Sequence, residues 1–184
     1  MAQPPNTRLA LDTNIIYQLA DDVPHVEKFR LLCLERGYSL LVTHTVIEEA
    51  TYRTRQAKDD PQGATLAHKA LTSLLKWGIQ PHVLPPLDLG YAKEFSTLLR
   101  TRKLLPWEEV RDGCLLGEAS RAQIPVLITA DGEHLLSIDR DGLLLAFHDS
   151  HIGPPVALFH PLTFIKAFAT LRKPVAAPKT KGKS

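Results

Sequence analysis

Two short apolar runs constrain this chain more than anything else in it. Leu9-Ala10-Leu11 stops at Asp12-Thr13-Asn14, and Val126-Leu127-Ile128-Thr129 stops at Ala130-Asp131-Gly132. A short apolar run with no alternation predicts a strand buried on both faces, which helices must cover. Helical spacing follows. Asp22-Val23-Pro24 reads as a helix start with Asp22 as cap; Val26, Phe29, Leu32 and Cys33 then recur at helical intervals, and Gly37 closes the helix. Leu40-Leu41-Val42 is a second strand, entered directly by a helix over 46–56. Residues 59–63 (Asp-Asp-Pro-Gln-Gly) read as a loop; Leu66, Ala70, Leu74 and Trp77 mark a helix stopped by Gly78. Val83-Leu84 is a weak third strand. Tyr91, Phe95, Leu98 and Leu99 give another helix, and 110–122 a further one with Leu115, Leu116 and Ala119 on one face. Late strands are expected at 143–147 and 156–159, and a closing helix at 161–171. Strands alternating with helices predict a doubly wound α/β fold, three-layer α/β/α with a mainly parallel central sheet.

The size of the chain, 184 residues, suits one domain with its own core, and 44% apolar with 23% charged residues is globular composition. No apolar run approaches a bilayer span, so no membrane partner is expected. Met1-Ala2-Gln3-Pro4-Pro5 lacks the basic start and apolar segment of a secretory signal. Cys33 and Cys114 have no paired spacing and read as reduced, buried thiols, so the expected location is cytoplasmic. The net charge of +2 hides an asymmetry: residues 166–184 carry six basic side chains and no acid, which leaves 16 basic against 20 acidic side chains before them. The segment 173–184 reads as a basic, disordered tail able to meet phosphate.

In an open parallel sheet, ligands bind outside the carboxyl ends of the strands. Asp12 and Asp131 are therefore expected on the functional edge, although each could simply cap the following turn or helix. Glu49, in the first turns of the helix after the second strand, and Asp112, near the start of the helix before Val126, fall on that same edge. Carboxylates brought together repel and call for a cation. Oxygen-only ligation suits Mg²⁺ or Mn²⁺, which can activate water and clamp a phosphodiester.

These segments resemble the PIN-domain family. Leu9-Ala10-Leu11-Asp12-Thr13-Asn14 is similar to the family's opening motif, Val46-Ile47-Glu48-Glu49-Ala50 to its second, Arg111-Asp112-Gly113 with Leu115, Leu116 and Ala119 to its third, and Ile128-Thr129-Ala130-Asp131 to its fourth. The resemblance implies a nuclease domain over 1–172. Asp12, Glu49, Asp112 and Asp131 would be catalytic and hold Mg²⁺ or Mn²⁺, with Glu48 an alternative to Glu49. Asn14, Thr129 and Glu133 would support them. The implied activity is metal-dependent endoribonuclease cleavage of RNA, as a toxin component with a small antitoxin protein as partner and a homodimer as a further assembly. The alternative within the family is a PIN fold that binds RNA or protein without cutting. A phosphatase on a similar sheet is disfavoured because Asn14 stands where a second carboxylate would be needed.

Arg53, Arg55, Arg100, Arg102 and Lys103 are basic groups able to hold an RNA backbone, or else a solvated face. Trp107 reads as a core or helix-docking residue before a base-stacking one. His148-Asp149-Ser150-His151 reads as a polar loop after a strand, without partners at triad or metal spacing.

Overall fold

The computed structural model describes residues 7–171; the expected basic tail at 173–184 lies outside them. Five parallel strands form one sheet: β1 (Arg8–Leu11), β2 (Ser39–Val42), β3 (Ile79–Pro81), β4 (Val126–Ile128) and β5 (Ala157–Phe159), in the order β3-β2-β1-β4-β5. β1 is central, with Ala10 opposite Leu41 on one side and Leu127 on the other. Leu9, Ala10, Leu11, Val42, Leu127 and Ile128 are fully buried. That is why these runs show no apolar–polar alternation.

Between the strands run α1 (Thr13–Ala20), α2 (Pro24–Glu35), α3 (His44–Thr54), α4 (Pro61–Ser73), α5 (Pro86–Thr101), α6 (Val110–Arg121) and α7 (Arg140–Ser150); α8 (Pro161–Leu171) follows β5. α1 packs on α2, α3 and α4, whereas α5 packs on α6 and α7. Right-handed crossovers, β1 to β3 in one direction and β4 to β5 in the other, put the two groups on opposite faces of the sheet. The expected three-layer, parallel architecture is thus present. Among the described residues no helix is long and apolar enough to cross a membrane.

Several local expectations need correction. Residues 143–147 are helical, within α7. Leu143, Ala146 and Phe147 are buried while Leu144 and Leu145 face water, a period of 3.6 that an unbroken apolar run conceals. Asp139 starts this helix by accepting from the backbone N–H groups of Asp141 and Gly142. The segment 148–151 therefore ends a helix and does not follow a strand. The third strand is Ile79–Pro81 in place of Val83-Leu84; its Pro81 is tolerated on an edge strand, and Val83 is exposed. Of the loop expected at 59–63, residues 61–63 are instead the first turn of α4, with Asp60 as its cap accepting from Gly63 N–H and Pro61 at its start. α2 is entered through Val23, since Asp22 adopts a left-handed φ of 57° and cannot cap it.

α5 and α6 form the most intimate helix pair, and small residues set their spacing. A Cβ on Gly117 would stand 2.7 Å from Ala92 Cα, and one on Gly113 2.7 Å from Ser96 Cα. The close approach fixes the position of the first turn of α6, where Asp112 sits.

Candidate active site

The carboxyl ends of β1 and β4 lie side by side, and Asp12 N–H donates to Ile128 O at 3.0 Å to extend their ladder by one bond. Asp12 then caps α1, its Oδ1 accepting from Thr13 N–H at 2.6 Å. Its Oδ2 accepts from Asn14 Nδ2 at 2.6 Å and from the fully buried Thr129 hydroxyl at 2.7 Å. Asn14 Oδ1 accepts from Ala130 N–H, and Thr129 Oγ1 from Asp131 N–H. Asp12 is thus the cap of α1 and also lines the cleft at this edge of the sheet.

Glu49 reaches the same place from α3. Its Oε2 accepts from the Thr13 hydroxyl at 2.8 Å. Glu48, the alternative, is exposed and lies 3.9 Å from His44. Asp112 arrives from the first turn of α6 and Asp131 from the end of β4, and all four carboxylates line one cleft of about 250 Å³. Asp131 also accepts from the N–H groups of Glu133, His134 and Leu135, and so shapes the turn after β4.

The electrostatics separate these groups. Burial, followed by the charges of Asp12, Glu109, Asp131 and Glu49, pushes the Asp112 carboxyl up to about 8. Burial raises Asp12 to about 6; the bonds from Thr129 and Thr13 N–H oppose the rise, and Glu49 and Asp131 add to it. Burial acts on Asp131 in the same sense, but the Leu135, His134 and Glu133 N–H groups outweigh it and hold this carboxyl below its ordinary value. The cleft therefore confines more negative charge than its own donors neutralise, which is the state of a site that fits a divalent cation.

Three further residues line the cleft that sequence patterns did not single out: Glu109, His134 and Tyr17. Glu109 precedes α6 and His134 lies in the turn after β4. Glu133, expected as a further acid, is exposed and outside the cleft; its neighbour His134 takes the inward position. Tyr17 is only 9% exposed, its hydroxyl has no hydrogen-bond partner, and burial pushes its phenol up to about 12. A fourth unforeseen residue, Glu118, lies behind the cleft. It is 2% exposed and accepts from Thr45 N–H at 3.0 Å and Thr45 Oγ1 at 2.7 Å. It thereby caps α3 in place of Thr43, whose own hydroxyl makes no such bond, and ties the helix of Glu49 to the helix of Asp112.

Of the expected basic groups, Arg53 alone lines the cleft, with its guanidinium 5.2 Å from the centre of the Tyr17 ring and its Nη2 3.0 Å from Asp60. Arg55 is exposed at the end of α3. Arg100 covers the Trp107 ring at 4.6 Å, Arg102 pairs with Asp149 at 2.8 Å, and Lys103 is exposed in the turn after α5. Trp107 is 63% exposed, contrary to the core placement expected of it. Arg111, not foreseen, stands 3.8 Å from Glu49 and 5.8 Å from the exposed Tyr52 ring. A larger hollow of about 810 Å³ between α1, α2 and Trp77 is mainly apolar and gathers no comparable chemistry.

No family profile and no curated protein matches the chain. Among solved structures it is similar to a chain in the crystal structure of VapBC2 from Rickettsia felis bound to a DNA fragment from their promoter. The TM-score is 0.56 and the identity 16%, over 84% of this chain and 98% of that one. A chain in the structure of FitAB bound to an IR36 DNA fragment aligns with a TM-score of 0.47 and 16% identity, over 83% of this chain and 94% of that one. At such identity the first likeness speaks to fold: this chain has the PIN-type α/β/α fold that its motifs led one to expect.

Proposed function

We propose that this protein is a divalent-metal-dependent endoribonuclease. The observation that carries the reading is the convergence of Asp12, Glu49, Asp112 and Asp131, from two strand ends and two helices, on one cleft at the carboxyl edge of the sheet. The donor set fits Mg²⁺ or Mn²⁺: all four are carboxylates, and two have pKa values raised by burial and mutual repulsion. These four residues would hold the cation. When bound, it supplies Lewis acidity at a phosphodiester and lowers the pKa of water.

The chain's own residues do the positioning. Asn14 and Thr129 orient Asp12, and the Thr13 hydroxyl orients Glu49. The Tyr17 hydroxyl, kept protonated by burial, is a free donor for a phosphate oxygen. Arg53 and Arg111 stand at the rim where neighbouring phosphates would pass. A toxin role with a small antitoxin partner belongs to the same reading. It is supported by the family resemblance and by the similar chain having been solved within VapBC2 on promoter DNA. Co-purification with the product of a neighbouring small gene would test that part.

Cleavage of single-stranded RNA in Mg²⁺ or Mn²⁺, abolished by chelator, tests the activity. Asp12→Asn should lower the rate by about 100-fold or more, the scale of a lost metal interaction, while leaving the circular dichroism unchanged. Wild-type rates in both Asp12→Asn and Asp131→Asn would sink the mechanism. RNA binding without cleavage by the wild-type chain would favour the non-cleaving module.

A further inference from the structure

We propose that Glu109, Asp112 and His134 form a nitrogen-containing metal position at one end of the cleft, and that it makes the protein select Mn²⁺ or a later transition-series cation over Mg²⁺. One ligand atom from each residue lies within 4.8 Å of the others, so modest side-chain rotation brings all three onto a common cation at about 2.1 Å from each. The three come from two rigid sources. Glu109 is the N-cap residue of α6 and Asp112 lies in the first turn of that helix, with a ligand atom of each near the other. His134 has its backbone N–H held by the Asp131 carboxylate. His134 Nδ1 stands 3.5 Å from Glu109 and 3.7 Å from Asp131, facing both carboxylates without closing a hydrogen bond to either.

A second observation marks the same cleft as built for a ligand. The Tyr17 hydroxyl is buried in its wall with no acceptor for its proton, a costly arrangement unless something entering the cleft accepts from it, as a water carried on a cation does. Imidazole then decides which cation. Mg²⁺ takes oxygen donors and gives up water reluctantly, whereas Mn²⁺, Co²⁺, Ni²⁺ and Zn²⁺ accept imidazole nitrogen, with affinity rising along that series to Ni²⁺. A cluster of carboxylates alone would hold either kind of ion; adding His134 biases it.

This inference rests on the nuclease reading only for the cation shared through Asp112, and it is measured without RNA. The full-length, metal-free protein is titrated with Mn²⁺, following free Mn²⁺ by electron paramagnetic resonance, and with Mg²⁺ by calorimetry. The expected result is binding of Mn²⁺ at least about tenfold tighter than Mg²⁺, with His134→Ala lowering Mn²⁺ affinity by about 10–100-fold and leaving Mg²⁺ affinity unchanged. Electron spin-echo modulation of Mn²⁺ bound to the wild-type protein should show coupling to an imidazole nitrogen, a reading that needs no variant to fold. Absence of that nitrogen coupling, or a Mn²⁺ preference that persists in His134→Ala, overturns the proposal. Nitrogen coupling in a protein that fails to cleave RNA leaves it standing while sinking the nuclease; cleavage by a protein without the coupling does the reverse.

Discussion

Asp112→Asn should make the metal-free protein more stable, and only above a definite pH. The Asp112 carboxyl moves from 3.8 to about 8 on folding. Below about pH 4 it is protonated in both the folded and the unfolded chain and contributes nothing. Between pH 4 and 8 the unfolded chain releases the proton while the folded one keeps it, so stability is lost steadily as pH rises. Above pH 8 both states are ionised and the loss is complete. At about 1.4 kcal/mol per pH unit the ceiling is about 6 kcal/mol. Acids in the same cleft share the penalty, and water screens it, so about 2 kcal/mol is expected at pH 8. For a chain of this size that is about 4–8 °C in melting temperature. The asparagine amide is nearly the same size, so packing changes little. The assay is thermal unfolding by circular dichroism in chelator, from pH 4 to 9, on both proteins. The two curves should meet near pH 4 and diverge up to pH 8. Saturating Mn²⁺ should raise the wild type and narrow the gap. Parallel curves with a constant offset, or a variant that melts lower at pH 8, would refute the argument that the cleft stores uncompensated charge.

Two further expectations concern the scaffold. Glu118→Ala should cost about 2 kcal/mol by leaving Thr45 N–H and Oγ1 unsatisfied in the interior, with Glu118→Gln recovering part of it through its remaining acceptor; urea unfolding of the two variants checks this, and equal stability of Glu118→Ala and wild type would mean that α3 is held by other contacts. Gly117→Ala should destabilise by about 1 kcal/mol, because overpacking against the Ala92 backbone outweighs the gain in helix propensity; a more stable variant in the same assay would show that α5 can move away from α6.

The parts of the site carried by β1 and β4 were legible because a run of buried residues has to stop where a polar group is wanted, and Asp12 and Asp131 stand at those stops. The resemblance to PIN domains added Asn14 and Thr129, and in the structure both donate to the Asp12 carboxylate while Asn14 also accepts from Ala130 N–H. Helix-borne groups were harder. Glu48 and Glu49 differ by about 100° of helix rotation, and nothing in their order says that the Thr13 hydroxyl awaits the second of them. Glu133 and His134 present the same one-residue ambiguity, this time settled by how Asp131 winds the turn around its carboxylate. Glu109 was invisible because it lies in an irregular Pro-Trp-Glu-Glu segment with no period to orient it. The apolar run in α7 was read as a strand because burial of three of its residues and exposure of two leave no trace in composition. Glu118 could have been flagged, since an acid amid Leu115, Leu116 and Ala119 on a buried helix face requires a partner, but not which one.

The central place of β1 has a consequence for the birth of the protein. Asp12 is made well before its hydrogen-bond partner Thr129 and its neighbour strand β4, which follow more than 110 residues later in the chain. Pairing over so long a separation is slow and comes after local helices and the β1–β2 contact have formed. A growing chain must reach Asp131 before four carboxylates can share a cleft, and must add β5 before β4 gains its second neighbour. Until β4 joins, β1 is the edge of a half-built sheet, and the burial that raises Asp12 in the folded chain is incomplete. Such an order of assembly leaves the cleft, and any chemistry proposed for it, incomplete until late in synthesis.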